Sequence, residues 1–269
     1  MTSKVYKNGT FRKLSKEEIE KIKQLYINGM STYELAKKFK VSYHAIWYHL
    51  QKHKIKRRNK SEATTLAKNK NLRLEKSPYL AYLIGVYLGD GSIDECKSRE
   101  NYRRFRFRVK SPEKAFIDSI AKACKNIGLY PHILKCNYPY YLSNKNWRIP
   151  YELVVYSKPF CLFMLKMKNI NELSKMISGY ELNFLRGIYE SEGSVIHEKG
   201  KMVALTAITN TNKELAIYVA KLLLSIGFTP HITVDEPKNK KYKTVYHVRL
   251  NAKQGKKFLA KIKPIIKYD

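Results

Sequence analysis

Up to residue 55 the apolar positions recur every three or four residues: Ile19, Ile22, Leu25 and Tyr26, then Leu35, Ala36 and Phe39, then Ile46 and Leu50. That period places each set on one face of a helix. The helix starts are marked as well. Ser15 and Glu18 form an S-x-x-E capping box, and Ser31 and Ser42 are placed to cap a second and a third helix. Asn28-Gly29 closes the first. From Lys54 to Asn71 the apolar positions thin out and Lys, Arg, Asn and Ser take over. That is the composition of a basic linker, with room for a short helix around Glu62–Lys68.

Beyond residue 78 the pattern occurs twice. Leu80-Ala-Tyr-Leu-Ile-Gly-Val-Tyr-Leu-Gly-Asp-Gly-Ser-Ile93 matches Leu182-Asn-Phe-Leu-Arg-Gly-Ile-Tyr-Glu-Ser-Glu-Gly-Ser-Val195 at one constant offset, with Asp90 against Glu192. Further on, Ile127-Gly-Leu-Tyr-Pro-His-Ile133 matches Ile226-Gly-Phe-Thr-Pro-His-Ile232, and Tyr151, Lys158 and Phe163 match Tyr246, Lys253 and Phe258. Three collinear matches make a duplication. Each copy reads as helix, two strands, helix, two strands, helix. The first copy spans 78–90, 92–97, 102–110, 112–127, 131–137, 147–156 and 159–168. The second spans 181–192, 194–198, 202–209, 212–227, 230–236, 241–250 and 253–262. Helices gathered on one face of antiparallel sheets predict an α+β fold of two pseudo-symmetric αββαββα repeats, preceded by a small all-α domain.

The strand period then shows which side chains share a face. In Arg104-Phe-Arg-Phe-Arg-Val-Lys110, Phe105, Phe107 and Val109 point to the core, while Arg104, Arg106, Arg108 and Lys110 form a cationic row. Lys243, His247 and Arg249 make a weaker row in the second copy, and Arg148 is a further candidate DNA contact. Four like charges in register repel unless something anionic lies across them. The whole chain agrees: 53 Lys+Arg against 22 Asp+Glu give a net charge of +31, which points to a polyanion such as double-stranded DNA, with RNA also open. A membrane partner is disfavoured, because the longest nearly apolar run, Tyr79–Leu88, is too short to span a bilayer. Met1–Thr10 has no apolar signal core, so an intracellular, non-secreted protein is expected. Cys96, Cys124, Cys136 and Cys161 lack C-x-x-C spacing and read as buried or idle thiols rather than zinc ligands.

In this basic context the N-terminal helices resemble a helix-turn-helix, with helix 42–53 as the reading element. Tyr43, His44, Trp47 and Tyr48 would then face the major groove, with Arg57 and Arg58 following on the phosphates. A plain three-helix bundle is the alternative. His49 and His53 stand four apart but lack a third ligand, and read as polar surface groups.

The chemistry gathers at the ends of the duplicated helices. Gly85 and Gly89 lie one turn apart, as do Gly187 and Ser191, and such small-residue stripes let two helix backbones approach closely. An acid follows each stripe: Asp90 and Glu192. Packed through the stripes, the helices would bring both carboxylates together at negative helix ends, where a hard cation such as Mg²⁺ relieves the repulsion. Such a cation beside DNA suggests phosphodiester hydrolysis. The alternative is that each acid merely closes a turn before a strand. His132 and His231, each following a proline at a strand start, read as satisfied structural histidines.

Leu83-Ile-Gly-Val-Tyr-Leu-Gly-Asp-Gly91 and Leu185-Arg-Gly-Ile-Tyr-Glu-Ser-Glu-Gly193 resemble the two motifs of single-chain LAGLIDADG homing endonucleases, and the resemblance covers about residues 78–267. It implies that Asp90 and Glu192 are metal ligands, one for each DNA strand, assisted by the carbonyls of Gly89 and Ser191. It also implies Mg²⁺ or another divalent cation, and a saddle of two four-stranded sheets on a long asymmetric target. Lys110 fits the family's supporting basic position in the first copy; in the second, Thr209 or Asn210 stands there, Lys213 follows one turn on, and Lys267 is a weaker candidate. The expected organisation is a helix-turn-helix domain over 1–56, a linker over 57–77, and repeats over 78–172 and 173–269 in a monomer. Three functions remain open: a site-specific DNA endonuclease, a non-cutting DNA-binding regulator of the same fold, and an RNA-binding intron maturase.

Overall fold

A computed structural model describes residues 14–58, 63, 66, 69–97, 103–136, 148–237, 239 and 241–267. The short helix expected around Glu62–Lys68 falls mostly outside them. The chain divides into two compact units, Met1–Lys70 and Asn71–Asp269.

The first unit holds α1 (Lys16–Ile27), α2 (Thr32–Phe39) and α3 (Tyr43–Lys52). Ser15 and Ser31 each form a full capping box, with Glu18 and Glu34, and Ser42 accepts from the nitrogen of Ala45. These bonds satisfy main-chain donors that a helix start otherwise leaves open. Ile22, Leu35, Ile46 and Leu50 are fully buried in a core of their own. The unit extends past the boundary expected at residue 56. Arg58 lies over the ring of Tyr26 at 4.0 Å and donates to the carbonyls of Gly29 and Met30, and Lys70 pairs with Glu34.

The second unit is built twice from the same elements. The first copy contains α4 (Pro78–Leu88), β1 (Ser92–Lys97), β2 (Arg103–Ser111), α5 (Lys114–Asn126), β3 (His132–Lys135), β4 (Tyr151–Tyr156) and α6 (Lys158–Lys166). A further helix, α7 (Ile170–Ile177), leads into the second copy. That copy contains α8 (Glu181–Glu192), β5 (Ser194–Glu198), β6 (Lys201–Asn210), α9 (Lys213–Ser225), β7 (His231–Asp235), β8 (Val245–Asn251) and α10 (Ala252–Ile262). The sheets are antiparallel and share one order, β1-β2-β4-β3 and β5-β6-β8-β7. The α+β expectation holds.

Two strands start four residues later than the sequence suggested. β4 starts at Tyr151, because Pro150 has no N–H to give to a ladder, so Arg148 precedes the strand. β8 starts at Val245, after a turn in which the nitrogen of Tyr242 donates to the carbonyl of Asn239; Lys243 therefore lies outside it. No described helix is long and apolar enough to cross a membrane.

The shared core of this unit centres on α4 and α8, which contribute Leu80, Leu83, Ile84, Phe184, Leu185 and Ile188. The two helices meet through their glycines. A Cβ on Gly85 would run into the carbonyl of Phe184, and one on Gly187 into the carbonyl of Tyr82. At the following turn, a Cβ on Gly89 would overlap the Ser191 side chain and stand 3.0 Å from Cγ of Glu192. Only small residues permit this approach.

Candidate functional site

The tight α4–α8 contact sets the positions of the two acids. Asp90 lies just past the end of α4, after the C-cap Gly89, while Glu192 is the last residue of α8. Asp90 opens onto solvent at a cleft shared with Lys110, Arg148, Glu190 and Lys267; Glu192 is half-buried. Burial raises the Asp90 carboxyl, against the pull of Lys267. Glu192 is pushed up to about 7, first by burial and then by the negative charge of Asp90, with Lys267 again opposing. Each acid thus feels the same ammonium, and Glu192 feels its partner.

The fold brings Lys267, the weaker of the basic candidates in the sequence, to the two acids. Its Nζ donates to the carbonyl of Ser191, and its charge couples to Asp90, Glu192 and Glu190. The carbonyl of Lys267 accepts from the hydroxyl of Tyr189. Ser191 is buried, its hydroxyl donating to the carbonyl of Gly187. Lys213, the candidate given more weight, is exposed at the first position of α9 and is not part of the cleft wall. Asn210 turns to the end of the other helix, its Nδ2 3.5 Å from the carbonyl of Leu88, and Thr209 meets Nδ1 of His247 at 3.0 Å.

The described residues hold no cluster of three His, Cys, Asp or Glu. The donor set at the acids is two carboxylates and the Ser191 carbonyl, which already receives a cation from Lys267. All are hard oxygens, few in number, at negative helix ends. They fit a Mg²⁺-type ion, which uses one or two carboxylates and completes its shell with water and phosphate oxygens.

The cationic row on β2 is not bare. Asp94, opposite Arg106 on β1, takes Nε and Nη2 of Arg106 at 2.6 and 2.9 Å and Nη2 of Arg108 at 2.9 Å. Glu152 on β4 lies 3.4 Å from Arg108 Nη1 and 3.8 Å from Lys110 Nζ. Cross-strand carboxylates thus relieve part of the repulsion that the sequence left to an external anion. The side chain of Arg104 lies outside the described residues. In the second copy, His247 is held between Thr209 and Asp235, the latter at 2.9 Å from Nε2, while Nε of Arg249 is enclosed without a partner. Arg148 is exposed and pairs with Glu113.

In the first unit, His44 and Tyr48 are exposed, but Tyr43 and Trp47 pack partly on the core, so the four residues do not form one outward face. Tyr43 stacks on Tyr33 with centroids 5.0 Å apart, and Arg57 lies 5.6 Å from the Trp47 ring. Arg58 is a strap across α1 rather than a free cation. His49 is half-buried, with Nδ1 enclosed and a pKa lowered first by desolvation. His132 and His231 are exposed. They open the edge strands β3 and β7, where most side chains are exposed. Cys124, Cys136 and Cys161 are free and buried.

Residues 179–263 match the model of a LAGLIDADG-like domain, and residues 79–149 match that of the WhiA LAGLIDADG-like domain. Protein MJ0314 of Methanocaldococcus jannaschii is 32% identical over 202 residues, covering 73% of this chain and 72% of that protein. Protein MJ0398 of the same organism is 31% identical over 218 residues, covering 80% and 73%. Among solved structures, I-DmoI in complex with DNA and Mn superposes with a TM-score of 0.51 at 22% identity, over 69% of this chain and 96% of that one. Its complex with DNA and Ca gives 0.52 at 22%, over 69% and 88%. At this identity the likeness is one of fold. Duplicated motifs, paired sheets and sequence relatives agree: the chain belongs to the same family as MJ0314 and MJ0398, and it carries two LAGLIDADG-like domains.

Proposed function

We propose that the protein is a divalent-metal-dependent endonuclease that hydrolyses both strands of a long, asymmetric DNA target. The observation that carries this reading is the meeting of Asp90 and Glu192 at the ends of two helices locked by Gly85 and Gly187. A protein that only held DNA would gain nothing from two carboxylates facing the phosphates.

Asp90 and Glu192, with the carbonyls of Gly89 and Ser191, would hold Mg²⁺, which supplies activated water and charge stabilisation at the leaving oxygen. Lys110 and Lys267 bring positive charge to the same cleft, where a phosphate accumulates charge as its bond breaks. The outer sheet faces, through Arg106, Arg108, Lys110, Arg249 and His247, would lie along the duplex. Asp94 and Glu152 hold the first-copy arginines in fixed orientations. The first unit adds a helix-turn-helix reader, with His44 and Tyr48 as its exposed contacts. Homing of a mobile element is the biological setting we assign to this activity.

The second reading is a DNA-binding protein of the same fold that does not cut. It is favoured by Lys267, whose ammonium already stands at the acid pair. Purified protein with Mg²⁺, given plasmids carrying the flanks of its own gene and a randomised site library, decides between them. Linear product supports the nuclease; tight binding without any cut supports the regulator.

A further inference from the structure

Glu190 stands two residues before Glu192 and is the most enclosed carboxylate among the described residues of the second unit, 1% exposed. A buried carboxylate is costly unless donors meet it. Three do, from three parts of the chain. The hydroxyl of Tyr82 on α4 donates to Oε2 at 2.6 Å, Nε of Arg186 on α8 donates to Oε1 at 2.9 Å, and the main-chain nitrogen of Ile265 donates to Oε1 at 2.7 Å. The third bond reaches the segment that follows α10. That segment begins at Lys263 and ends its described course at Lys267, both with left-handed backbone (φ 48° and 60°). Such a conformation in a non-glycine residue persists only where the surroundings impose it. Ile266 is buried in the core, and the carbonyl of Lys267 is held by Tyr189. The first copy has no such device: Leu88 occupies the place of Glu190, and after α6 the chain enters α7.

We propose that Glu190 is a positioning residue. It fastens the C-terminal segment to the joined helices in the one register that delivers the Lys267 ammonium to the acid pair. The centre is then completed by a strap from the far end of the chain, and on the side of the second copy only. This rests on the nuclease reading for its catalytic meaning, but the fastening itself is measurable without DNA.

The test uses the full chain, as wild type, Glu190→Leu, Lys267→Met and the double variant. Leucine is the residue the first copy carries, so it suits the buried volume. Hydrogen exchange at the Ile265 amide and acylation of Lys267 by an amine-reactive ester are read first. Both should accelerate at least about tenfold in Glu190→Leu while exchange in α4 and α8 stays unchanged, because a released segment exposes its own amides. Should Glu190→Leu fail to fold, Glu190→Gln replaces it; Gln keeps one acceptor oxygen and loses the charge. Single-turnover cleavage with Mg²⁺ is read second. Glu190→Leu should slow it without weakening DNA binding, and adding it to Lys267→Met should cost nothing more, as for two residues acting through one group. A protected Ile265 amide in Glu190→Leu overturns the proposal. So does a released segment with an unchanged cleavage rate. If wild type never cuts DNA yet the segment is released, the nuclease reading falls and the fastening role stands.

Discussion

Gly85 on α4 leaves no room for a side chain against Ile188 on α8: a Cβ there would stand 2.8 Å from the Ile188 nitrogen, and the neighbouring carbonyl of Phe184 is nearer still. Gly187 meets Tyr82 and Val86 in the same way from the other side. Gly85→Ala and Gly187→Ala should each therefore destabilise the second unit by about 3 kcal/mol, since neither backbone can retreat without parting the central helices. Chemical denaturation followed by circular dichroism checks this. A loss below about 0.5 kcal/mol would mean the helices are free to slide.

Replacing either acid separates chemistry from affinity. Asp90→Asn and Glu192→Gln should each lower cleavage at least about a hundredfold, the scale of losing a group that stabilises charge in the transition state. DNA affinity should stay near that of wild type or rise, because a negative charge has been removed from beside the phosphates. Filter binding and plasmid cleavage measured side by side would expose an architectural acid as one whose loss abolishes both.

Metal removal has a pH signature of its own. In chelator, the Glu192 carboxyl titrates near 7 in the folded protein against 4.5 when unfolded. Its pKa is raised, so its favourable contribution is complete below about pH 4.5 and fades as pH climbs toward and through 7. Stability in chelator should fall across that window, and Glu192→Gln should flatten the fall. Divalent cation should restore stability at pH 8 in wild type more than in Glu192→Gln. Thermal melts between pH 5 and 8.5 provide the measurement.

The helical unit offers a contrast between neighbours. Arg58→Ala should loosen residues 14–58 by about 1–2 kcal/mol, because it removes the cover of Tyr26 and two bonds to the carbonyls of Gly29 and Met30, in the turn after α1. His44→Ala and Tyr48→Ala, both exposed, should leave stability unchanged and weaken DNA binding. Local hydrogen exchange and binding titrations check the pair. Unaltered affinity in both would remove the helix-turn-helix from the DNA interface.

Much of this architecture could be read from one sequence because its signals are local. α8 and β5 fall where the repeat predicted them, and three serine caps are where the first unit needed them. The glycine stripes also gave the α4–α8 contact. Helix α7 also carries a local signal, with Ile170, Leu173 and Ile177 at helical spacing behind the cap of Asn169. What stayed hidden depends on register between distant segments. Asp94 and Glu152 are ordinary acids until β1 and β4 bring them against Arg106, Arg108 and Lys110. Lys213 is nearer to Glu192 along the chain than Lys267, but only the fold returns the terminal segment to the centre.

The bond from Tyr82 to Glu190 also joins the two copies of the duplication. A gene rebuilt from two identical first copies would set that phenol against Leu88 instead, and would lack the segment that carries Ile265 altogether. The halves have become complementary parts, as lock and key are cut from one blank. Their common ancestry no longer makes them interchangeable, and an engineer who wishes to recombine them must transplant Tyr82, Glu190 and the last turn of the chain together.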